Sequence, residues 1–237
     1  MPNENNPNPE NPQPPQPPKP RAPRSDQDQV IANDITDAQQ VIETAKTDAE
    51  LKPLLEDKGY DAAEMDKGAV LQSAAQAAYN GRQKASGKQK EATALAIAVE
   101  KSARVTYSDF RETARALYAE EADVAKLGLK GKVPADLQKF ITAARASYSG
   151  AKDEPYASRL AKRGFKPADN ANAEAQLKAL ATADAEQETA IADAQQATKE
   201  RDAAYEALMA WMNEFKRIAR VALRDKPTLA RKLKLQR

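Results

Sequence analysis

Apolar residues recur at alternating steps of three and four along most of the chain, the periodicity of one face of an α-helix. The first such segment has Ser25 as its predicted N-cap and runs to about Lys46. Its apolar face comprises Ile31, Ile35, Ala38, Ile42 and Ala45. A short segment, L-K-P-L-L-E-D, follows and ends at Gly59-Tyr60. The pattern therefore predicts a helix followed by a one-turn connector.

From about Asp61 the same periodicity continues to about Glu121, which predicts a very long helix. Gly81 and Gly87 interrupt it, at about 1 kcal/mol each in a helix interior. A hairpin turn within N-G-R-Q-K-A-S-G is therefore the alternative to an unbroken helix. The segment Leu127-Gly128-Leu129-Lys130-Gly131 predicts the turn that follows.

A second unit repeats this order of elements. Its first helix is predicted to begin at Pro134, with Asp136 in the first turn. The apolar face of that helix comprises Leu137, Phe140, Ile141, Ala144 and Tyr148. The short piece Y-A-S-R-L-A-K-R ends at Gly164-Phe165, which matches Gly59-Tyr60, and a second long helix begins at Pro167.

The ends of the two long helices carry the clearest repetition. Residues 108–117 read S-D-F-R-E-T-A-R-A-L and residues 213–222 read N-E-F-K-R-I-A-R-V-A. Two repeats are too few for a solenoid but can pair antiparallel into a bundle. We predict an all-α fold, an elongated antiparallel helical bundle in which each repeat supplies a shorter helix and a very long one. A helix of roughly 60 residues would span about 90 Å.

The predicted organisation has a tail and two repeats that pack into one domain. Residues 25–131 form repeat 1 and residues 132–237 form repeat 2. Residues 1–24 are rich in Pro and Asn and contain almost nothing to bury, which predicts a disordered or polyproline-II tail. Its P-P-Q-P-P could bind an aromatic-lined groove, but a solubilising leader is the favoured interpretation.

Three motifs resemble a bacterial family of tandem-repeat helical proteins whose helices end in I-A-R-x-A-L. They are L-A-K-R-G-F, A-T-K-E-R-D-A-A and W-M-N-E-F-K-R-I-A-R-V-A-L-R-D-K-P-T-L. The resemblance covers about residues 30–237. That family has no established activity, so the resemblance implies architecture and no chemistry. At the end, Lys232-Leu233-Lys234-Leu235 replaces the Leu-Gly pair of the family pattern, which argues against a Schellman-type cap there.

Composition excludes several kinds of chemistry. The 237 residues include no Cys and no His, so disulfides, thiolate or imidazole metal ligands and the commonest general base are all excluded. A di-iron carboxylate bundle would need histidines. Glu100, Glu112 and Glu214 are interpreted as solvated, and Glu186, Glu188 and Glu200 show no catalytic spacing. We therefore predict no catalytic residue, cofactor or metal, and no enzyme, unless carboxylates and lysines meet in a cleft that the sequence does not reveal.

Location follows from similar exclusions. No apolar run approaches the roughly 20 residues of a membrane span, so no transmembrane segment is predicted. The N-terminus M-P-N-E-N-N-P has no basic start and no apolar segment, which is unlike a secretory signal. The expected compartment is the cytoplasm.

Charge is unevenly distributed along the chain. From residue 216 to 237 there are nine basic residues and one acidic residue, so this end carries +8 and the remainder −6, for a total of +2. Residues 203–224 form a predicted amphipathic helix whose apolar stripe contains Trp211, interpreted as core. The candidate contacts to a protein partner or nucleic acid are Arg217, Arg220, Arg224, Arg231, Lys232 and Lys234.

Three interpretations of this basic end remain open. The favoured one is a core-facing helix whose solvent side is basic, with Arg115 and Arg220 serving the fold by pairing with carboxylates of a neighbouring helix. The others are phosphate contacts to nucleic acid and docking to an anionic membrane, the last being disfavoured. We expect a non-enzymatic structural or protein-interaction bundle that binds a protein partner or itself. The alternative is weak, sequence-independent nucleic-acid binding.

Overall fold

A computed structural model describes residues 24–118 and 120–235, which form eight helices and confirm the all-α prediction. The helices are α1 (Arg24–Thr47), α2 (Lys52–Glu56), α3 (Ala62–Leu117), α4 (Glu121–Lys126), α5 (Leu137–Gly150), α6 (Tyr156–Ala161), α7 (Pro167–Ala222) and α8 (Pro227–Lys232). The tail predicted for residues 1–24 lies, up to residue 23, outside the described residues. α1 begins at Arg24, so Ser25 lies inside the helix instead of capping it.

The two long helices, α3 and α7, pack against each other in antiparallel orientation and form the axis of the molecule. Each contains 56 residues and is therefore about 84 Å long. α3 passes through Gly81 and Gly87 without a break, so the alternative of a hairpin there is wrong. A β-carbon at either glycine would meet nothing within 4 Å. Neither glycine marks a close contact, and their helical neighbours are enough to continue the helix.

Two helix boundaries differ from the prediction because tertiary contacts set them. α3 ends at Leu117 instead of near Glu121, since Tyr118 is extended and its buried ring packs on Tyr156 at 5.1 Å. α5 begins at Leu137 instead of Pro134, with Asp136 as N-cap accepting from the Lys139 amide. The carbonyl oxygens of Pro134 and Ala135 instead accept from the Arg104 guanidinium at 2.7 and 2.9 Å.

The connector of each repeat ends in the same turn. Gly59 and Gly164 have φ of +87° and +95°, a conformation that favours glycine. The amides of the next residues, Tyr60 and Phe165, donate five residues back to Leu55 and Leu160. Each aromatic ring thereby packs against the long helix of the other repeat. Tyr60 lies 5.0 Å from Phe215, and Phe165 lies 5.0 Å from Phe110.

The described part of the chain has two separate hydrophobic cores, one at each end of the α3–α7 pair, and each core uses both repeats. The first joins α1, α2 and the start of α3 to the end of α7 and α8. The second joins the end of α3 and the turn after α4 to α5, α6 and the start of α7. Between them, within the described ranges, α3 and α7 pack mainly through small residues such as Ala96 and Ala183.

Candidate interaction surfaces

The six candidate contact residues lie together, exposed, at the end of the molecule that contains the first core. Arg217 and Arg220 are in the last turns of α7, Arg224 follows it, and the other three belong to α8 and the turn after it. The structure thus brings the basic residues to one end, but it gives them different contacts.

Arg220 contributes to the fold, as does its counterpart Arg115. The Nε atom of Arg220 donates to the Leu235 carbonyl oxygen at 3.3 Å. Arg115 Nη2 donates to the carbonyl oxygens of Leu129 and Gly131 at 2.6 and 2.9 Å. The predicted role in the fold is confirmed, but the expected carboxylate partners are wrong. The acceptors are backbone carbonyl groups of the turn that follows each short helix, where a helix leaves carbonyl groups without partners.

The turn at Lys234 corrects the expectation that no Schellman-type cap forms there. Lys234 has φ of +51°, and the Leu235 amide donates to the Ala230 carbonyl at 3.0 Å. The matching turn at Gly128 has φ of +64°, and the Leu129 amide donates to the Val124 carbonyl at 2.8 Å. The left-handed backbone costs a non-glycine residue roughly 1–2 kcal/mol. Burial of the flanking leucines in the first core offsets that cost.

Lys234 binds the C-terminal segment to α1, and Lys232 binds it to Asp48, the residue that follows α1. Lys232 Nζ lies 2.6 Å from Asp48 Oδ2, and Lys234 Nζ lies 2.5 Å from Asp37 Oδ1 and 2.6 Å from Gln40 Oε1. The hydrogen bond from Lys232 lowers the pKa of Asp48, and the same bond raises the pKa of Lys232. Both lysines are therefore engaged within the fold.

Arg217, Arg224 and Arg231 remain for contacts outside the chain. Among the residues that the structure describes, Arg217 Nε has one acceptor, the Asn213 carbonyl one turn back in its own helix, at 3.3 Å. Between residues 24 and 235, the described part of the chain contains no ion pair of Arg224 or Arg231. The cationic surface is thus smaller than the sequence suggested.

The sequence did not reveal an ion cluster at the start of α1, in which Arg201 is buried and its partners are partly exposed. Asp28 lies between Arg82 of α3, at 2.7 Å, and Arg201 of α7, at 2.5 Å. Arg201 is 4% exposed and also lies 2.6 Å from Asp202. The spacing of residues in α7 could have revealed it. Arg201 precedes the core residue Leu208 by seven residues, so it occupies a core position of α7.

Trp211 packs in the first core, as predicted. Its ring stacks on Phe215 at 5.4 Å and meets Tyr60 edge-on at 5.9 Å. Its Nε1 atom donates to Glu64 Oε1 at 3.1 Å, a partner the sequence did not suggest. Hydrogen bonds from Lys67 and then from Trp211 lower the pKa of Glu64. The indole is therefore satisfied within the fold.

A long groove follows the α3–α7 seam on the side of α3 that faces away from α1, and its α7 rim adjoins a depression that Arg145 of α5 also lines. Arg82 points to α1, and Lys84 and Lys88 follow it by two and six residues, or about 200° and 240° around the helix. They line the groove with Ala190 and Asp193 of α7. Further along, the lining residues are Leu95, Val99, Ala175, Lys178, Ala179, Thr182, Ala183 and Glu186. We call this surface the rear groove.

The carboxylates considered for chemistry are dispersed. Glu112 and Glu214 are exposed, and Glu100 is half-buried and accepts from Arg104 Nε at 2.7 Å. Across residues 24–118 and 120–235, no three His, Cys, Asp or Glu side chains are grouped so as to hold a metal ion. In the same ranges no helix is long and apolar enough to cross a membrane. The absence of enzymatic activity stays a prediction.

Comparisons of the chain with protein-family models, with curated proteins and with solved structures gave no match. The family resemblance therefore rests on the three sequence motifs alone.

Proposed function

We propose that the protein is a non-enzymatic structural and protein-interaction bundle, a stiff spacer that holds two end surfaces a fixed distance apart. This architecture is the one implied by the motifs shared with the tandem-repeat helical family. The cytoplasmic location remains a prediction from the sequence.

The observation that carries the proposal is the separation of the two cores by a continuous helix pair. α3 and α7 both run unbroken for 56 residues, and each contributes to both cores. Bending the middle would require breaking hydrogen bonds within two helices at once. Such a shape positions surfaces, whereas a cleft suited to catalysis needs converging groups around a concavity.

Distance measurements between paired labels test the spacer. Because the chain has no cysteine, Lys58→Cys with Arg163→Cys introduces label sites beside the starts of α3 and α7. We expect these labels about 80 Å apart, from the helix length, and therefore low energy transfer. The matched control, Lys58→Cys with Arg217→Cys, places both labels at the first core and should give high transfer. High transfer in both pairs would refute an extended spacer.

Catalysis is tested by screening the full chain for hydrolase activity. We expect no turnover above that of a buffer control. A robust rate that a single Glu→Gln substitution abolishes would reject the non-enzymatic part of the proposal.

Weak nucleic-acid binding is the second candidate, favoured by the three exposed arginines that the fold leaves for outside contacts. Binding should fall steeply with salt and disappear in the variant Arg217→Ala, Arg224→Ala, Arg231→Ala. The matched lysine variant at the same three positions keeps the charges and should retain binding. An affinity that does not change with salt concentration, or no binding at low salt, would reject nucleic-acid binding as the function.

A further inference from the structure

We propose that the rear groove is the interface with a second copy of this chain. The two copies are related by a two-fold axis parallel to the long helices, so that α3 of each lies over α7 of the other. The inference rests on the proposed interaction role and names the partner.

Within residues 24–118 and 120–235, the shorter helices α1 and α5 cover one side of the α3–α7 pair. α1 and α5 lie on the front of the α3–α7 pair, with Asp28 on Arg82 and Gln138 on Asp184. On the rear, Val70 and Leu95 are 68% and 51% exposed. Val70 and Leu95 lie on the same face of α3 as Lys84. Val70 precedes Lys84 by 14 residues and Leu95 follows it by 11, and both spacings return to within about 40° of the same direction around the helix. A second pair of long helices would complete a four-helix cross-section, a common closed arrangement.

The side chains on the two sides of the rear groove differ in size. At one level along it, α3 presents the exposed Leu95 and the half-buried Val99 to the groove, whereas α7 presents the exposed Ala179, with the buried Ala183 at the groove floor. A two-fold axis parallel to the helices leaves the height of each residue along the bundle unchanged and places α3 of one copy over α7 of the other. Leu95 and Val99 of each copy therefore lie over the alanines of the other, where large side chains find space between small ones.

The two rims of the rear groove also carry opposite charges. Lys84 and Lys88 lie on the α3 rim at the level of Asp193 on the α7 rim, and Glu186 lies on that same rim near Leu95. The parallel axis places the lysines of one copy over the Asp193 end of the other. A two-fold axis perpendicular to the helices would instead place α3 over α3, and the complementarity of size and of charge would be lost. Lys178, the one cation among the α7 groove residues, lies where α3 presents Leu95 and Val99.

The test measures the mass of the full chain in solution by analytical ultracentrifugation. We expect twice the chain mass of 25.8 kDa. Lys84→Glu with Lys88→Glu should give 25.8 kDa, and so should Glu186→Lys with Asp193→Lys, since each places like charges across the interface. Mixing the two variants should restore the doubled mass, and combining all four substitutions in one chain should restore it as well.

The matched control is Lys90→Glu with Lys101→Glu, an equal charge change at exposed positions away from the rear groove. It should leave the doubled mass unchanged. A monomeric parent chain overturns the proposal, as does a dimer that Lys84→Glu with Lys88→Glu does not dissociate, or variants that stay monomeric when mixed. The paired-label distances, measured on the Lys84→Glu, Lys88→Glu chain, report separately on the spacer, so failure of one proposal is distinguishable from failure of the other.

Discussion

Gly68 lies where the indole of Trp211 crosses α3. A β-carbon there would lie 2.6 and 2.7 Å from Cζ2 and Cζ3 of Trp211 and also collide with Cη2. The indole cannot easily retreat, because it is hydrogen-bonded to Glu64 and stacked on Phe215. We expect Gly68→Ala to lower the free energy of unfolding by about 1–2 kcal/mol, since overpacking outweighs the gain in helix propensity. Urea unfolding followed by the fluorescence of Trp211 measures this.

Gly81 provides the control for Gly68 within the same helix. A β-carbon at Gly81 meets nothing within 4 Å, so Gly81→Ala should raise the free energy of unfolding by about 0.5–1 kcal/mol. A loss of stability in both variants would show that the indole contact is not the cause.

Lys234 adopts a backbone conformation that its side chain disfavours. We expect Lys234→Gly to be more stable than Lys234→Ala by about 1 kcal/mol, because both lose the contacts to α1 and only glycine relieves the left-handed backbone at φ +51°. Thermal unfolding of the two variants measures the difference. Equal stability would mean that the turn carries no backbone cost at this position.

At the scale of the element, the ion pairs of Asp28 with Arg82 and Arg201 attach the start of α1 to the two long helices. Asp28→Asn should destabilise the protein by about 1–3 kcal/mol, because the 4% exposed Arg201 loses one ionised partner and keeps only Asp202. Hydrogen exchange should become faster in the first turns of α1. The control is Asp37→Asn, whose partner Lys234 is 47% exposed, and little change is expected there. Equal protection of α1 in the parent and Asp28→Asn would contradict the role of the cluster.

The elements themselves were largely predictable from the sequence, whereas their ends and polar contacts were not. Periodicity located both long helices, and the repeated Gly-aromatic pair located the connectors, because both signals are local. The end of α3 depends on burial of Tyr118 against Tyr156, and the start of α5 depends on Arg104. Lys234 and Arg201 have partners on α1, and Lys232 has Asp48 just after α1, all more than 170 residues away. The rear groove depends on which face α1 and α5 cover, and periodicity alone does not specify that.

At the scale of the whole molecule, the arrangement of the cores makes the two repeats dependent on each other. The first core joins Ile35 and Leu55 to Phe215 and Leu233, and the second joins Phe110 to Phe140. Because α3 and α7 each run from one core to the other, a single repeat contains half of both cores and the whole of neither.

Separating the repeats at the predicted boundary between residues 131 and 132 tests this dependence and the prediction that the two repeats pack into one domain. Residues 24–131 or 132–237 alone should not unfold cooperatively as monomers, because each would expose apolar surface that the other covers. Mixing them at equal concentration should restore the helical circular dichroism and a cooperative transition. Residues 24–237, which keep both cores, serve as the control. A monomeric repeat that unfolds cooperatively by itself, shown by sedimentation and urea titration, would mean that each repeat is an independent domain.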